Sequence, residues 1–251
     1  MNINYALIVS IFLSIGSLSA QNSTTRTKAL QQHDQLLGQQ NINLLEGVNF
    51  EDEYRSNANE HRYFKELQYQ LGEVTYNNQS YQDVFLRYDL IEDVLLVNTK
   101  DNLSYFDLKL IPSKVSEFKI HNTSFVKLPV INDGNSFYEV AYLGNHYNFY
   151  VDLRKTPKSV LGNSSLVSYK FIEGFTFLLN YNNEFIEVSN HRDFIKLFPD
   201  LEKQIKDLVI FKAPKHIENY NKANKSLRKS DEKAYLVNLA RFIDKRLTTI
   251  N

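Results

Sequence analysis

The chain contains no cysteine and no tryptophan, one methionine, eight glycines and five prolines in 251 residues. Without cysteine there is no disulfide, no thiolate metal ligand and no lipid-modified cysteine, so the core alone must hold the fold. Glycine is too sparse for a phosphate-cradling loop, and neither a dinucleotide fingerprint nor a Gly-x-Ser-x-Gly elbow occurs. Charge is absent as a net quantity: 29 Lys plus Arg balance 29 Asp plus Glu, which argues against wholesale nucleic-acid binding. The histidines are scattered, and none stands in a His-Glu-x-x-His metal spacing. Ser-x-x-Lys occurs at Ser226/Lys229 and Ser230/Lys233, but the companion elements of penicillin-recognising enzymes are missing. No catalytic residue, metal ligand or cofactor is therefore expected.

What is present is aromatic. Sixteen Tyr and 17 Phe stand in a chain that is otherwise of ordinary globular composition. Residues 1–20 differ from the rest: Ala6 to Ile15 is a short apolar block, followed by small residues to Ala20 and then Gln21. This predicts a secretory signal peptide and export to the periplasm or beyond. Residues 21–43, rich in Gln, Asn, Ser and Thr, predict a flexible polar spacer. No later stretch is long and apolar enough to span a membrane.

The stretch from Leu71 to Ile111 organises the remainder. Four strand-like runs are separated by polar turns at Asn77-Asn78, Glu92-Asp93 and Lys100-Asp101-Asn102, the pattern of an antiparallel meander. Val84, Leu86, Tyr88 and Leu90 alternate with more polar residues, a period of two that marks a half-buried strand. Further strands are predicted at Val115–Ile120, Ser124–Val130, Phe137–Leu143, Tyr147–Leu153, Tyr169–Ile172, Phe175–Asn180 and Phe185–Val188. Turns are expected at His121-Asn122, Asn132 to Asn135, Gly144-Asn145, Glu173-Gly174 and Asn182-Asn183. Thr156 to Ser165, with Pro157 and Gly162, reads as a loop.

From Asn190 the period becomes helical. Asn190 is placed to cap a short helix ended by Pro199. Leu201, Ile205, Leu208 and Val209 form an amphipathic stripe, and Ser230 is expected to cap a last helix with an apolar face from Tyr235 to Leu247. Strands first and helices after them predict an α+β protein: a curved antiparallel sheet or partly open barrel over residues 44–189, with residues 190–251 packed on it. The C-terminal segment is basic and the rest acidic. Lys222, Lys225, Arg228 and Lys229 are either a solvated helix face or a patch for an anionic lipid surface.

Gly72 to Tyr81 (Gly-Glu-Val-Thr-Tyr-Asn-Asn-Gln-Ser-Tyr), then Val84 to Leu90 and Asp93 to Val97, resembles an uncharacterised family of secreted β-rich proteins of Bacteroidota. In that family a Gly-x-Val-x-Tyr hairpin precedes a Tyr-Asp strand. Phe137 to Gly144 and Asp193 to Pro199 are similar to it as well. The resemblance covers roughly residues 45–245. It implies a signal peptide, a β-rich body and a helical end, and carries over no site residue.

Tyr81, Phe85, Tyr105 and Tyr150 fall on the more polar strand faces. They either shield the sheet or form a binding surface for an apolar ligand or a sugar ring. The leading expectation is a non-enzymatic exported protein that binds a hydrophobic ligand, such as a lipid, or an envelope component. The alternative is an interaction module acting through an exposed sheet surface. A hydrolase assembled from Asp83, Asp89, His121 and His146 is a third reading. It requires a cleft that gathers at least two of them.

Overall fold

The structure is a computed structural model that describes residue 44 and residues 47–54, 59–98, 107–128, 136–161, 167–190, 193–194, 220 and 222–248. The chain divides into two compact units, Met1–Glu46 and Gly47–Asn251, and the sheet and helices belong to the second. The expected signal peptide and spacer, Tyr105, the turn at Asn132 to Asn135 and the stripe from Leu201 to Val209 lie outside the described residues.

Among the described residues, eleven strands form one antiparallel sheet: β1 (Val48–Asn49), β2 (Gln70–Tyr76), β3 (Gln79–Asp89), β4 (Val94–Asn98), β5 (Leu108–Lys109), β6 (Val115–Ile120), β7 (Thr123–Lys127), β8 (Phe137–Leu143), β9 (Tyr147–Leu161), β10 (Val167–Tyr181) and β11 (Glu184–Val188). Their order is β1-β5-β4-β3-β2-β6-β7-β8-β9-β10-β11, so the sheet is open at β1 and β11. After β5 the chain passes through a single 3-10 turn, Pro112–Lys114, to pair β6 with the far side of β2. The polar dipeptides do the turning. Asn77-Asn78, His121-Asn122 and Asn182-Asn183 all take positive φ, which joins two strands with the twist a tight hairpin needs.

Two departures from simple alternation matter. Between Gly72 and Val74 the β2–β3 register shifts, and Asp83 takes φ 55°, so a bulge inserts one extra residue into β3. The bulge moves Tyr81 to the same buried side as Val84, rather than to the polar face that alternation assigns it. Gly72 is required at this point: an added Cβ would sit 2.4 Å from the Lys119 carbonyl oxygen and 2.8 Å from Leu86 Cδ1.

The second departure is larger. No turn forms at Glu173-Gly174, and no loop begins at Thr156. Instead β9 and β10 are each 15 residues long and pair without a break from Tyr147↔Tyr181 to Leu161↔Val167. Pro157 is tolerated inside β9 because its missing N–H faces away from β10. The neighbouring Lys155 N–H shows that direction by donating to the Leu90 carbonyl at 2.9 Å. Beyond Val151 the strand β8 no longer pairs with β9, and below Phe177 the strand β11 no longer pairs with β10. The last ten pairs or so therefore project as a two-stranded ribbon.

The core is aromatic. Tyr88 lies 5.0 Å, ring to ring, from both Phe118 and Phe125, and 6.1 Å from Phe137, all buried. Each fully buried ring of this kind contributes about 1.5–3 kcal/mol, which explains how a disulfide-free chain holds together. The turn between β3 and β4 also reaches β8 and β9. The Phe137 N–H donates to Asp93 (3.2 Å), and Arg154 pairs with the same carboxylate (2.9 Å).

Among the described residues two helices with given bounds follow, α1 (Lys225–Ser230) and α2 (Glu232–Thr248). Asp231, not Ser230, caps α2: its carboxylate accepts the Ala234 N–H at 2.8 Å. Ser230 instead ends α1, with its hydroxyl turned back to the Ser226 carbonyl. Asn190 does cap the chain after β11, accepting the Asp193 N–H at 3.1 Å. Tyr235, Leu236, Leu239, Ala240 and Ile243 bury one face of α2, which packs on β8 and β9. The Tyr147 hydroxyl donates to the Ala240 carbonyl at 2.6 Å.

Candidate functional site

Two features of the sheet are candidates. The first is a cleft of 510 Å³ lined by Glu92, Asp93, Pro112, Ser113, Ser136, Asp152 and Arg154. Its lining includes one guanidinium held between two carboxylates. Arg154 lies 2.9 Å from Asp93 and 2.9 Å from Asp152. Asp93 also accepts the Tyr88 hydroxyl at 2.5 Å and the Phe137 amide. Both Asp93 oxygens and both guanidinium ends are thus taken up by the protein. The group works as a latch that ties the β3–β4 turn to β8 and β9.

Asp152 is the least settled member. Burial pushes its carboxyl up to about 6 against the pull of Arg154, with the charges of Asp93 and Glu187 adding to the rise. A carboxyl raised in the folded state favours folding fully below its unfolded value, near 4, and that support is lost as pH climbs through about 6. Urea unfolding should therefore show wild type losing stability between pH 4 and pH 7 relative to Asp152→Asn. Parallel pH curves for the two proteins would contradict this.

The second feature is the projecting ribbon. The β10 residues with odd numbers direct their N–H groups away from β9, as the Phe171 N–H shows by donating to Glu60 at 3.2 Å. Among the described residues, no strand pairs with this outer edge from Ser168 to Thr176. Ile172 is 55% exposed and Phe175 41%. Gly174 faces open space, with no atom within 4 Å of where a Cβ would stand. The inner stretch is anchored: Tyr54 packs edge-on against Tyr169 (5.1 Å) and Phe171 (6.1 Å). Lys155 caps the His61 and Tyr63 carbonyls at 3.0 and 2.8 Å.

The aromatic candidates from the sequence are not gathered on one strand. Tyr81 and Phe85 stand on β3, the first buried and the second half-buried. Tyr150, on β9, is buried with Leu128, Tyr138 and Leu178. The four polar residues considered for hydrolysis have separate surroundings. Asp89 pairs with Arg62 (2.7 Å) and His146 with Asp244 (2.9 Å). His121 lies against Phe64 (6.1 Å), and Asp83 is exposed at the β3 bulge. None of the four lines the 510 Å³ cleft. In the Ser230/Lys233 pair, the lysine is bound to Glu139 and the hydroxyl to backbone carbonyls. Among the described residues no group of three or more His, Asp or Glu is arranged to hold a metal ion. No helix among them is long and apolar enough to cross a membrane. Lys222, Lys225 and Lys229 are exposed, and Arg228 lies over the Tyr235 ring at 5.9 Å.

Sequence reasoning misses the ribbon because of its own breakers, Pro157 and Gly174. The signal that reveals it is the unbroken register of β9 with β10. No protein-family model, no curated protein and no solved structure matches this chain.

Proposed function

We propose that this is an exported component of the cell envelope, periplasmic or secreted, that binds a protein partner and does not catalyse a reaction. The partner adds an extended strand along the outer edge of β10. One observation carries the reading: the β9–β10 ribbon runs on past β8 and β11 with an outer edge that no strand among the described residues pairs with, and with Ile172 and Phe175 exposed beside it. A long open edge is a template for strand addition and is ordinarily blunted or covered. The contacts of Asp93 and Leu90 with β8 and β9 support a sheet that curls into a partly open barrel, which would present the ribbon at its rim. A carrier of hydrophobic ligands has less support, because Tyr81 and Tyr150 are buried.

The test is a photo-cross-linker placed at Ile172 of the mature protein, expressed in its own host's envelope. The expected result is a defined protein adduct that disappears in Glu173→Pro. That proline removes an outward N–H without breaking the β9–β10 ladder. An adduct that survives Glu173→Pro, or none at all, overturns the reading.

A further inference from the structure

We infer that the strand added to β10 is β10 of a second copy of this chain, in an antiparallel two-fold pairing centred on Ile172. This rests on the proposed use of that edge and specifies its occupant.

Register selects the centre. Outward N–H groups belong to odd-numbered residues, so a partner strand must match odd with odd and even with even. A two-fold pairing of β10 with itself then has few choices. Centring on Lys170 sets lysine against lysine, and centring on Glu173 sets glutamate against glutamate. Both place like charges opposite one another, which is destabilising. Centring on Phe171 sets the exposed Ile172 opposite Lys170, an apolar side chain against a charged one.

Centring on Ile172 places no like charges opposite one another and covers what is exposed. Ile172 meets Ile172 at the axis, a position without mutual hydrogen bonds where side chains approach closest. Tyr169 meets Phe175, so the 41%-exposed ring gains an aromatic partner. Lys170 meets Gly174, and its stem crosses the open space that the glycine leaves. Phe171 meets Glu173, and for that bond Glu60 must swing away from the Phe171 amide. Glu60 therefore acts as a competing cap, so self-pairing depends on concentration and the lone chain stays soluble. The pairing is isologous and closed, giving a dimer and no fibre.

The absence of cysteine makes the test specific. Ile172→Cys and, separately, Lys170→Cys are made in the full mature chain and exposed to mild oxidant. Rapid disulfide dimer formation is expected for Ile172→Cys alone, because only that position faces itself across the axis. Native mass spectrometry of the cysteine-free protein should show a monomer–dimer equilibrium that Ile172→Lys shifts to monomer. Ile172 is exposed, so this lysine leaves the monomer fold intact.

Equal cross-linking of both cysteine variants, or a monomer at every concentration, overturns the pairing. If the protein is monomeric while the envelope cross-link at Ile172 persists and remains sensitive to Glu173→Pro, the partner is another protein and only the self-pairing fails. If both signals are missing, the proposed function fails with it.

Discussion

Arg62→Met should destabilise the protein by about 3–5 kcal/mol, the usual cost of leaving one member of a buried ion pair without its partner. Arg62 is 1% exposed and Asp89 fully buried, with Nε 2.7 Å from the carboxylate. The guanidinium also reaches Asp52 (3.3 Å) and Glu92 (2.8 Å), and lies 5.1 Å from the rings of Phe50 and Tyr54. Burial pushes the Asp89 carboxyl up, while Arg62 and the amides of Ile91 and Glu92 pull it back. Once Arg62 is removed, burial dominates further. A raised carboxyl loses its support for folding as pH rises through its folded value, so the defect should be greatest above neutrality and shrink in acid.

At one kcal/mol per 2–4 °C, the melting temperature of the variant should fall by roughly 10 °C. Tyrosine fluorescence or circular dichroism follows the transition, since there is no tryptophan. Arg62→Met combined with Asp89→Asn should recover most of the loss, because the amide retains an acceptor for the Ile91 and Glu92 N–H groups without a buried charge. A single variant within about 1 kcal/mol of wild type, or a double variant no better than the single, would contradict this.

Asp244→Ala should release α2 from the sheet. Its carboxylate, 2% exposed, accepts four bonds: the Tyr142 hydroxyl (2.7 Å), the Asn145 and His146 amides (3.1 and 3.0 Å) and His146 Nδ1 (2.9 Å). These donors belong to β8 and to the turn before β9, so one side chain fixes the helix to the hairpin. Gly144 keeps the turn close, since an added Cβ would lie 2.8 Å from Asp244 Oδ2. Stability should drop by about 3 kcal/mol, the order expected when several charge-assisted bonds to one carboxylate are lost and their half-buried donors are left without it.

Burial pushes the Asp244 carboxyl up, but the bonds from Tyr142, His146 and Asn145 outweigh it and hold it below the usual range. Its contribution is therefore present above the ordinary carboxylate value and is lost as pH falls through the lower folded one. Wild type and Asp244→Ala should thus converge in strong acid and differ most at neutral pH. A constant difference across that range would contradict the assignment.

Much of the architecture follows from local chemistry. Val84, Leu86, Tyr88 and Leu90 alternate and are buried, and the Asn-Asn pairs turn where positive φ is needed. The helical period after Ser230 does yield α2 against β8 and β9. What is not legible is whatever depends on a neighbour. Tyr81 changes face because a bulge at Asp83 resets the phase of β3, and no residue pattern marks it. Pro157 and Gly174 carry breaker chemistry, yet both lie in continuous strands. One has its missing N–H on an unpaired side, and the other has open space where a side chain would be. The latch of Asp93, Arg154 and Asp152 joins residues far apart in the chain, beyond any spacing rule.

Amide hydrogen exchange along β10 bears most directly on strand addition at its outer edge. Lys170, Ile172 and Gly174 direct their amides to β9 and serve as internal references, while Tyr169, Glu173 and Phe175 direct theirs outward. In dilute protein the outward amides should exchange fast and the references slowly. On raising the concentration, the outward amides should gain protection together, and Ile172→Lys should abolish that gain. Outward amides already protected in the dilute monomer, or unprotected at every concentration and in the envelope alike, would contradict an edge built for strand addition.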